Sequence, residues 1–137
     1  MEATGRCLCG AVTYAAKEVE TDVHSCHCDI CLRWNGGPGF AVSVGQVSFN
    51  GEQNITRFDS SEWAERGFCN RCGTNLFYHL KEANLYVLWM GTFDDLKPFK
   101  LAREIYIDKK PALYDLAGNH PRLTGSEFMA SLKEMEE

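Results

Sequence analysis

Seven cysteines in a chain of 137 residues fall into three tight clusters, Cys7/Cys9, Cys26/Cys28/Cys31 and Cys69/Cys72, and none stands outside a cluster. Such spacing suits metal ions. In Cys69-Asn70-Arg71-Cys72-Gly73 two thiolates three positions apart can fold over one ion, and Gly73 can take the left-handed backbone that ends the turn. Four thiolates around zinc at ~2.3 Å lie about 3.8 Å from one another, whereas residues i and i+2 of a strand are about 6.6 Å apart. Cys7-Leu8-Cys9-Gly10 must therefore leave the extended conformation, and Gly10 permits the bend.

The middle cluster differs in kind. Cys26-His27-Cys28-Asp29-Ile30-Cys31 offers three thiolates within six residues and has no obvious fourth cysteine. The arithmetic is four plus three. Cys7, Cys9, Cys69 and Cys72 form a closed structural site, while Cys26, Cys28 and Cys31 leave a coordination position for water or substrate. Two zinc ions per chain are expected.

Disulfides are the rival reading. The odd cysteine count, the polar start Met1-Glu2-Ala3-Thr4 and the lack of an apolar run long enough to span a bilayer argue for a reducing cytoplasm and against a membrane protein. The formal charge of -5 argues against nucleic acid as a partner, since such proteins show a basic face. The length fits a single domain over residues 1–137 with a core of its own, helped by a metal staple.

The expected fold is mainly β, a small zinc-stapled sheet with a short C-terminal helix. Strand-like segments run over residues 11–15, 40–44, 47–49, 55–58, 76–80, 85–90 and 104–107, where β-branched and aromatic residues recur between turn residues. Gly36-Gly37-Pro38-Gly39 predicts a loop that can wall the open site. Thr124-Gly125-Ser126-Glu127 reads as a capping box, followed at helical spacing by Phe128, Leu132 and Met135.

Gly5-Arg6-Cys7-Leu8-Cys9-Gly10-Ala11-Val12, Cys26-His27-Cys28-Asp29-Ile30-Cys31 and Arg66-Gly67-Phe68-Cys69-Asn70-Arg71-Cys72-Gly73-Thr74 resemble, in order and spacing, the glutathione-dependent formaldehyde-activating family, which includes centromere protein V. The segment from Ile107-Asp108 through Pro111-Ala112-Leu113-Tyr114-Asp115 to Pro121-Arg122 resembles that family's closing region, so the likeness covers nearly the whole chain. The resemblance implies a β-rich zinc fold, the same division of the cysteines between two ions, and carbon–sulfur lyase chemistry of the S-hydroxymethylglutathione synthase type.

Physical chemistry gives that activity a rationale. The attacking form of a thiol is the thiolate, scarce at neutral pH when the pKa is ~8.5, and zinc coordination favours it. A small thiol such as glutathione, with an aldehyde such as formaldehyde, is the expected substrate pair. Three thiolates leave the ion with net negative charge, so a cationic or amide donor is needed nearby. Arg33 is the first candidate, and backbone amides of the glycine loop are the second. His27 is a weaker candidate as proton donor, because a residue between two ligands usually points away from the metal. Asp29 reads as a solvated group, Glu62 and Arg66 as a structural ion pair, and Trp34 as a wall of the site; His79 and His120 read as ordinary histidines. Two further readings stay open: a non-enzymatic zinc module for a protein partner, whose second ion would take a fixed fourth ligand such as His24 or His27, and a thiol redox sensor built on the same trio.

Overall fold

A computed structural model describes residues 1–136, with side chains as far as residue 133, so the side chain of Met135 lies outside the described residues. The protein is mostly β, with eleven strands among the described residues. In chain order the strands are β1 (Ala3–Arg6), β2 (Thr13–Lys17), β3 (Asp22–Cys26), β4 (Gly39–Val44), β5 (Gln46–Asn50), β6 (Ile55–Asp59), β7 (Ala64–Cys69), β8 (Asn75–Leu80), β9 (Leu85–Trp89), β10 (Lys100–Ile105) and β11 (Arg122–Leu123). The helices are α1 (Asp29–Asn35) and α2 (Gly125–Glu136). Among the described residues no helix is long and apolar enough to cross a membrane.

The residues fall into two compact units, Met1–Thr21 with Ala41–Phe99, and Asp22–Phe40 with the chain from Lys100 onward. In the first unit β1, β2 and β5 form an antiparallel sheet in that order. Its inner face is built by alternation along β2, where Tyr14 and Ala16 are buried between more accessible neighbours. Tyr14 meets Phe93 edge-on at 5.5 Å, and its hydroxyl bonds Thr92 at 2.8 Å. The antiparallel run β4-β9-β8-β7-β6 supplies Val42, Leu76, Phe77 and Leu88 to the core, all at 0% exposure. Gly67 on β7 faces the Phe77 ring so closely that an added Cβ would stand 2.2 Å from it.

In the second unit β3 pairs in parallel with β10, and β10 in parallel with β11. Helix α1 starts at Cys28, whose sulfur accepts from the Cys31 N–H at 3.4 Å, and ends at Gly36 with φ of 73°. The expected capping box closes α2: Thr124 N–H donates to Glu127 at 2.9 Å and Glu127 N–H donates to the Thr124 hydroxyl at 3.1 Å.

Several boundaries differ from expectation. Residues 11 and 12 belong to the cysteine turn before β2, and Gly39 is buried and opens β4, which leaves residues 36–38 as the loop. Met90 lies in a 3₁₀ turn after β9, and β10 spans Lys100–Ile105 where a strand over 104–107 was expected. Tyr106 ends that strand because its backbone turns left-handed, with φ of 57° and ψ of 42°. Strands β1, β3, β7 and β11 and helix α1 were not expected. In β7, Glu65, Arg66 and Gly67 obscure the pattern. Arg66 is nevertheless buried, its guanidinium 5.2 Å from the Tyr78 ring and 5.8 Å from that of Trp89.

Candidate functional site

The hairpin connections β1–β2 and β7–β8 are cysteine turns of similar build. In the first, Gly10 N–H donates to Cys7 O at 3.2 Å and Val12 N–H to Cys7 Sγ at 3.3 Å, with Gly10 at φ of 81°. In the second, Gly73 N–H donates to Cys69 O at 2.8 Å and Arg71 N–H to Cys69 Sγ at 3.4 Å, with Gly73 at φ of 82°. The two turns meet through Leu8 N–H, which donates to the Thr74 hydroxyl at 3.0 Å. Cys7, Cys9, Cys69 and Cys72 thereby bring four sulfurs within 4.8 Å of one another, Cys7 to Cys9 at 3.7 Å and Cys9 to Cys69 at 3.8 Å. These separations fit the ~3.8 Å edge of a four-thiolate zinc tetrahedron, so the cluster can hold the ion.

The thiols of this cluster ionise unequally. Hydrogen bonds from the Thr74 hydroxyl and then its N–H pull Cys72 down to about 5. The Ala11 N–H favours the Cys9 thiolate, but burial and the neighbouring thiols outweigh it and push Cys9 up to about 11. The first proton leaves easily and the last only with difficulty, the pattern that a bound cation resolves.

The second cluster lies entirely in the other unit. Cys26 ends β3, Cys28 caps α1 and Cys31 sits in its first turn, and their sulfurs also lie within 4.8 Å of one another. Hydrogen bonds from Cys26 and Cys31, with the N–H groups of Cys31 and Ile30, pull Cys28 down to about 2. The same contacts with Cys28 and Cys31, joined by burial, push the Cys26 thiol up. No fourth Cys, His, Asp or Glu ligand atom joins this group among the described residues. Three sulfurs so arranged can hold a zinc ion and leave a position to a further ligand.

His27 occupies neither that position nor solvent. Its side chain is fully buried, with Nε2 2.8 Å from Glu104 Oε1 and Nδ1 2.9 Å from the Tyr114 hydroxyl. Glu104 is also fully buried, and its Oε2 takes His120 Nε2 at 2.7 Å and Arg122 Nε at 2.8 Å. Burial works against its charge, but bonds from His120 and His27 and the Arg122 charge hold its carboxyl below the usual range. Burial pushes the Tyr114 phenol up, so it remains an O–H donor. Lys110 ties down this segment: Nζ bonds the carbonyls of Tyr114 and Pro111 and pairs with Asp115 at 2.9 Å.

The other candidates disperse. Arg33 is exposed, and two residues along α1 from Cys31 it projects from the opposite side of the helix. Trp34, one turn after Cys31, is half-buried. Asp29 is exposed at the start of α1, 3.9 Å from Lys109. His24 accepts from Arg103 Nε at 3.4 Å. His79 is held between Glu65 at 2.8 Å and Asn84 at 2.7 Å and stacks on Tyr86. Sequence reasoning did not find Glu104, Tyr106, Tyr114 or Arg122, and it passed over His120. Tyr106 directly follows Ile105, which pairs with Cys26. Burial, then the charges of Cys28 and Cys26, push its phenol up. The available signal was a charged Glu104 in a strand whose neighbour Ile105 is core, because a buried carboxylate demands partners.

A protein of Schizosaccharomyces pombe named as an uncharacterized lyase is 33% identical over 133 residues, covering 96% of this chain and 97% of its own. A crystal structure of a Rhodobacter sphaeroides protein shares the fold, with a TM-score of 0.54 and 20% identity over 87% of this chain and 98% of that one. The family model described as glutathione-dependent formaldehyde-activating enzyme matches residues 2–109, a span that contains all seven cysteines and both sulfur clusters, and the chain belongs to that family.

Proposed function

We propose that the protein is a carbon–sulfur lyase acting on the adduct of a small thiol, glutathione foremost, and an aldehyde such as formaldehyde. Cys26, Cys28 and Cys31 are the ligands of the reactive zinc, and Cys7, Cys9, Cys69 and Cys72 those of a structural one. The observation that carries the reading is the convergence of three sulfurs with no fourth ligand atom in their group among the described residues. Family membership and the lyase name of the S. pombe relative support the reaction class.

What zinc supplies when held by three thiolates is a Lewis-acid centre that favours ionisation of a further thiol. In the lyase direction the adduct's carbon–sulfur bond breaks and its electron pair stays on sulfur. The carbon–oxygen bond becomes double, and the hydroxyl proton is released. Thiol and aldehyde are the products, and the synthase direction reverses each step. The chain's own task is to hold the sulfur end and to steady the oxygen end. Tyr106 is the group we assign to the oxygen: its phenol is pushed up and stays protonated, it directly follows the residue that pairs with Cys26, and its ring is fixed by Phe128 at 6.1 Å and by Gly125, where a Cβ would stand 2.5 Å from it. Both ring nitrogens of His27 are engaged, by Tyr114 and Glu104, and we assign it no part in the proton transfer.

Titration of cobalt-substituted protein with glutathione, cysteine and simple alkyl thiols tests the reading. One of two cobalt sites should gain sulfur-to-metal absorption, more strongly as pH rises toward the thiol's own pKa of ~8.5–9. Tyr106→Phe should keep that spectrum and lower kcat on the order of 10²-fold, the usual effect of losing one donor to a developing oxyanion. An unchanged spectrum with all three thiols would remove the mechanism.

A further inference from the structure

The buried Glu104 carboxylate does more than fill a core position. An ionised carboxylate taken out of water is costly unless it is paired, and an apolar side chain would pack there at no such cost. What the chain obtains instead is a fixed point that faces His27. Among the described residues Oε1 takes His27, while Oε2 takes His120 and Arg122. The fixed point is itself braced, since Glu104 N–H donates to Pro121 O at 3.0 Å and Arg122 Nη2 donates to the carbonyls of Leu116 at 2.9 Å and Gly118 at 3.0 Å.

His27 is the residue between Cys26 and Cys28, and it is anchored at three atoms. Nε2 meets Glu104, Nδ1 meets Tyr114, and its backbone N–H donates to Ile105 O at 3.2 Å, the residue next to Glu104. Glu104, an acceptor only when ionised, takes a hydrogen from Nε2, and Nδ1 pairs with the Tyr114 hydroxyl. A ring held at both nitrogens cannot rotate toward the sulfurs, and the peptides on either side of it inherit its position.

We propose that Glu104, acting through His27, is the positioning residue of the three-cysteine site: it fixes the Cys26–Cys28 segment so that three sulfurs converge in advance, and it keeps the imidazole out of the ligand set. The proposal rests on the reading of Cys26, Cys28 and Cys31 as a ligand set. Partners that orient ligands from behind typically change metal affinity by ~10–100-fold when removed.

The test is competitive chelator titration of the full-length protein loaded with zinc, and separately with cobalt, in wild type, Glu104→Gln, Tyr114→Phe and Glu65→Gln. Glu104→Gln should bind the weaker ion ~10–100-fold less tightly and alter its cobalt spectrum, while the tighter ion is unaffected. Tyr114→Phe, which removes one hydroxyl from Nδ1, should weaken the same ion about fivefold. Glu65→Gln breaks a comparable carboxylate–histidine pair on β7 and should lower stability without moving the weaker ion's affinity. Equal affinity of wild type and Glu104→Gln for the weaker ion would overturn the positioning role alone. Should Glu104→Gln fail to fold, unchanged affinity in Tyr114→Phe would do the same. A wild type that holds no ion at the trio would bring down the ligand-set reading along with it.

Discussion

Individual residues here are fixed by what stands against them. Gly67→Ala drives a Cβ to 2.2 Å from Phe77, a ring at 0% exposure that also packs against Phe49 and Tyr86, so neither side can yield cheaply. The substitution should cost about 1–3 kcal/mol in urea unfolding without disturbing metal content. Glu65 offers a pH test. Burial opposes its ionisation, but bonds from His79 and Arg57 win and hold its carboxyl below the ordinary 4.5. The unfolded chain therefore binds this proton first as pH falls, so the stabilisation is complete above about pH 4.5–5 and is lost as pH drops through the lower folded value. Wild type minus Glu65→Gln, measured as urea midpoints at matched pH, should shrink steadily on the acid side of pH 5, with metal release common to both cancelling. A difference that stays flat from pH 7 to pH 3 would show that the carboxylate carries no linkage.

At the scale of elements, the two cysteine turns are hairpin connections first and ligands second. Each hairpin alone is marginal in water, and the four-sulfur cluster ties β1–β2 to β7–β8 across more than fifty residues of chain. Cys72→Ser should consequently yield unfolded or insoluble protein. Cys28→Ser should fold, with a modest fall in Tm, and hold one ion fewer. A soluble, fully folded Cys72→Ser, or a Cys28→Ser that cannot fold, would reverse the roles of the two clusters. Much of this was legible beforehand: Gly10 and Gly73 sit where an L-residue would be strained, and Thr124 with Glu127 announces α2 by a local pattern. What escaped was α1 and the Glu104 cluster. Helix α1 has seven residues and is capped by a cysteine, which no capping preference favours. Glu104, His27, Tyr114, His120 and Arg122 converge from distant stretches through the parallel pairing of β3, β10 and β11, and no local periodicity encodes that pairing. Arg33 shows the opposite case, since nearness in sequence to Cys31 became, at two residues along a helix, a position on another side of it.

For the molecule as a whole, the four-plus-three division predicts up to two zinc ions per chain of unequal lability. An ion held by four sulfurs would be enclosed by its ligands and its loss would open a core, whereas one held by three would keep a position exposed to competing ligands. Metal analysis during chelator titration should resolve two steps, the first leaving secondary structure intact by circular dichroism; a single step removing all the metal would refute the division. The parallel pairing of β3 with β10 carries a further consequence, for the order in which the protein is made. Cys26, Cys28 and Cys31 leave the ribosome roughly seventy residues before Glu104, about 4–15 s at ordinary translation rates of ~5–20 residues per second. During that interval the nascent trio has neither its sheet partner nor its anchor, and three vicinal thiols are free to oxidise or to capture stray metal. If the trio holds zinc as proposed, the yield of correctly loaded protein should depend on zinc supply and reducing power during synthesis more than on conditions after release, a dependence that cell-free translation with zinc added early or late would expose.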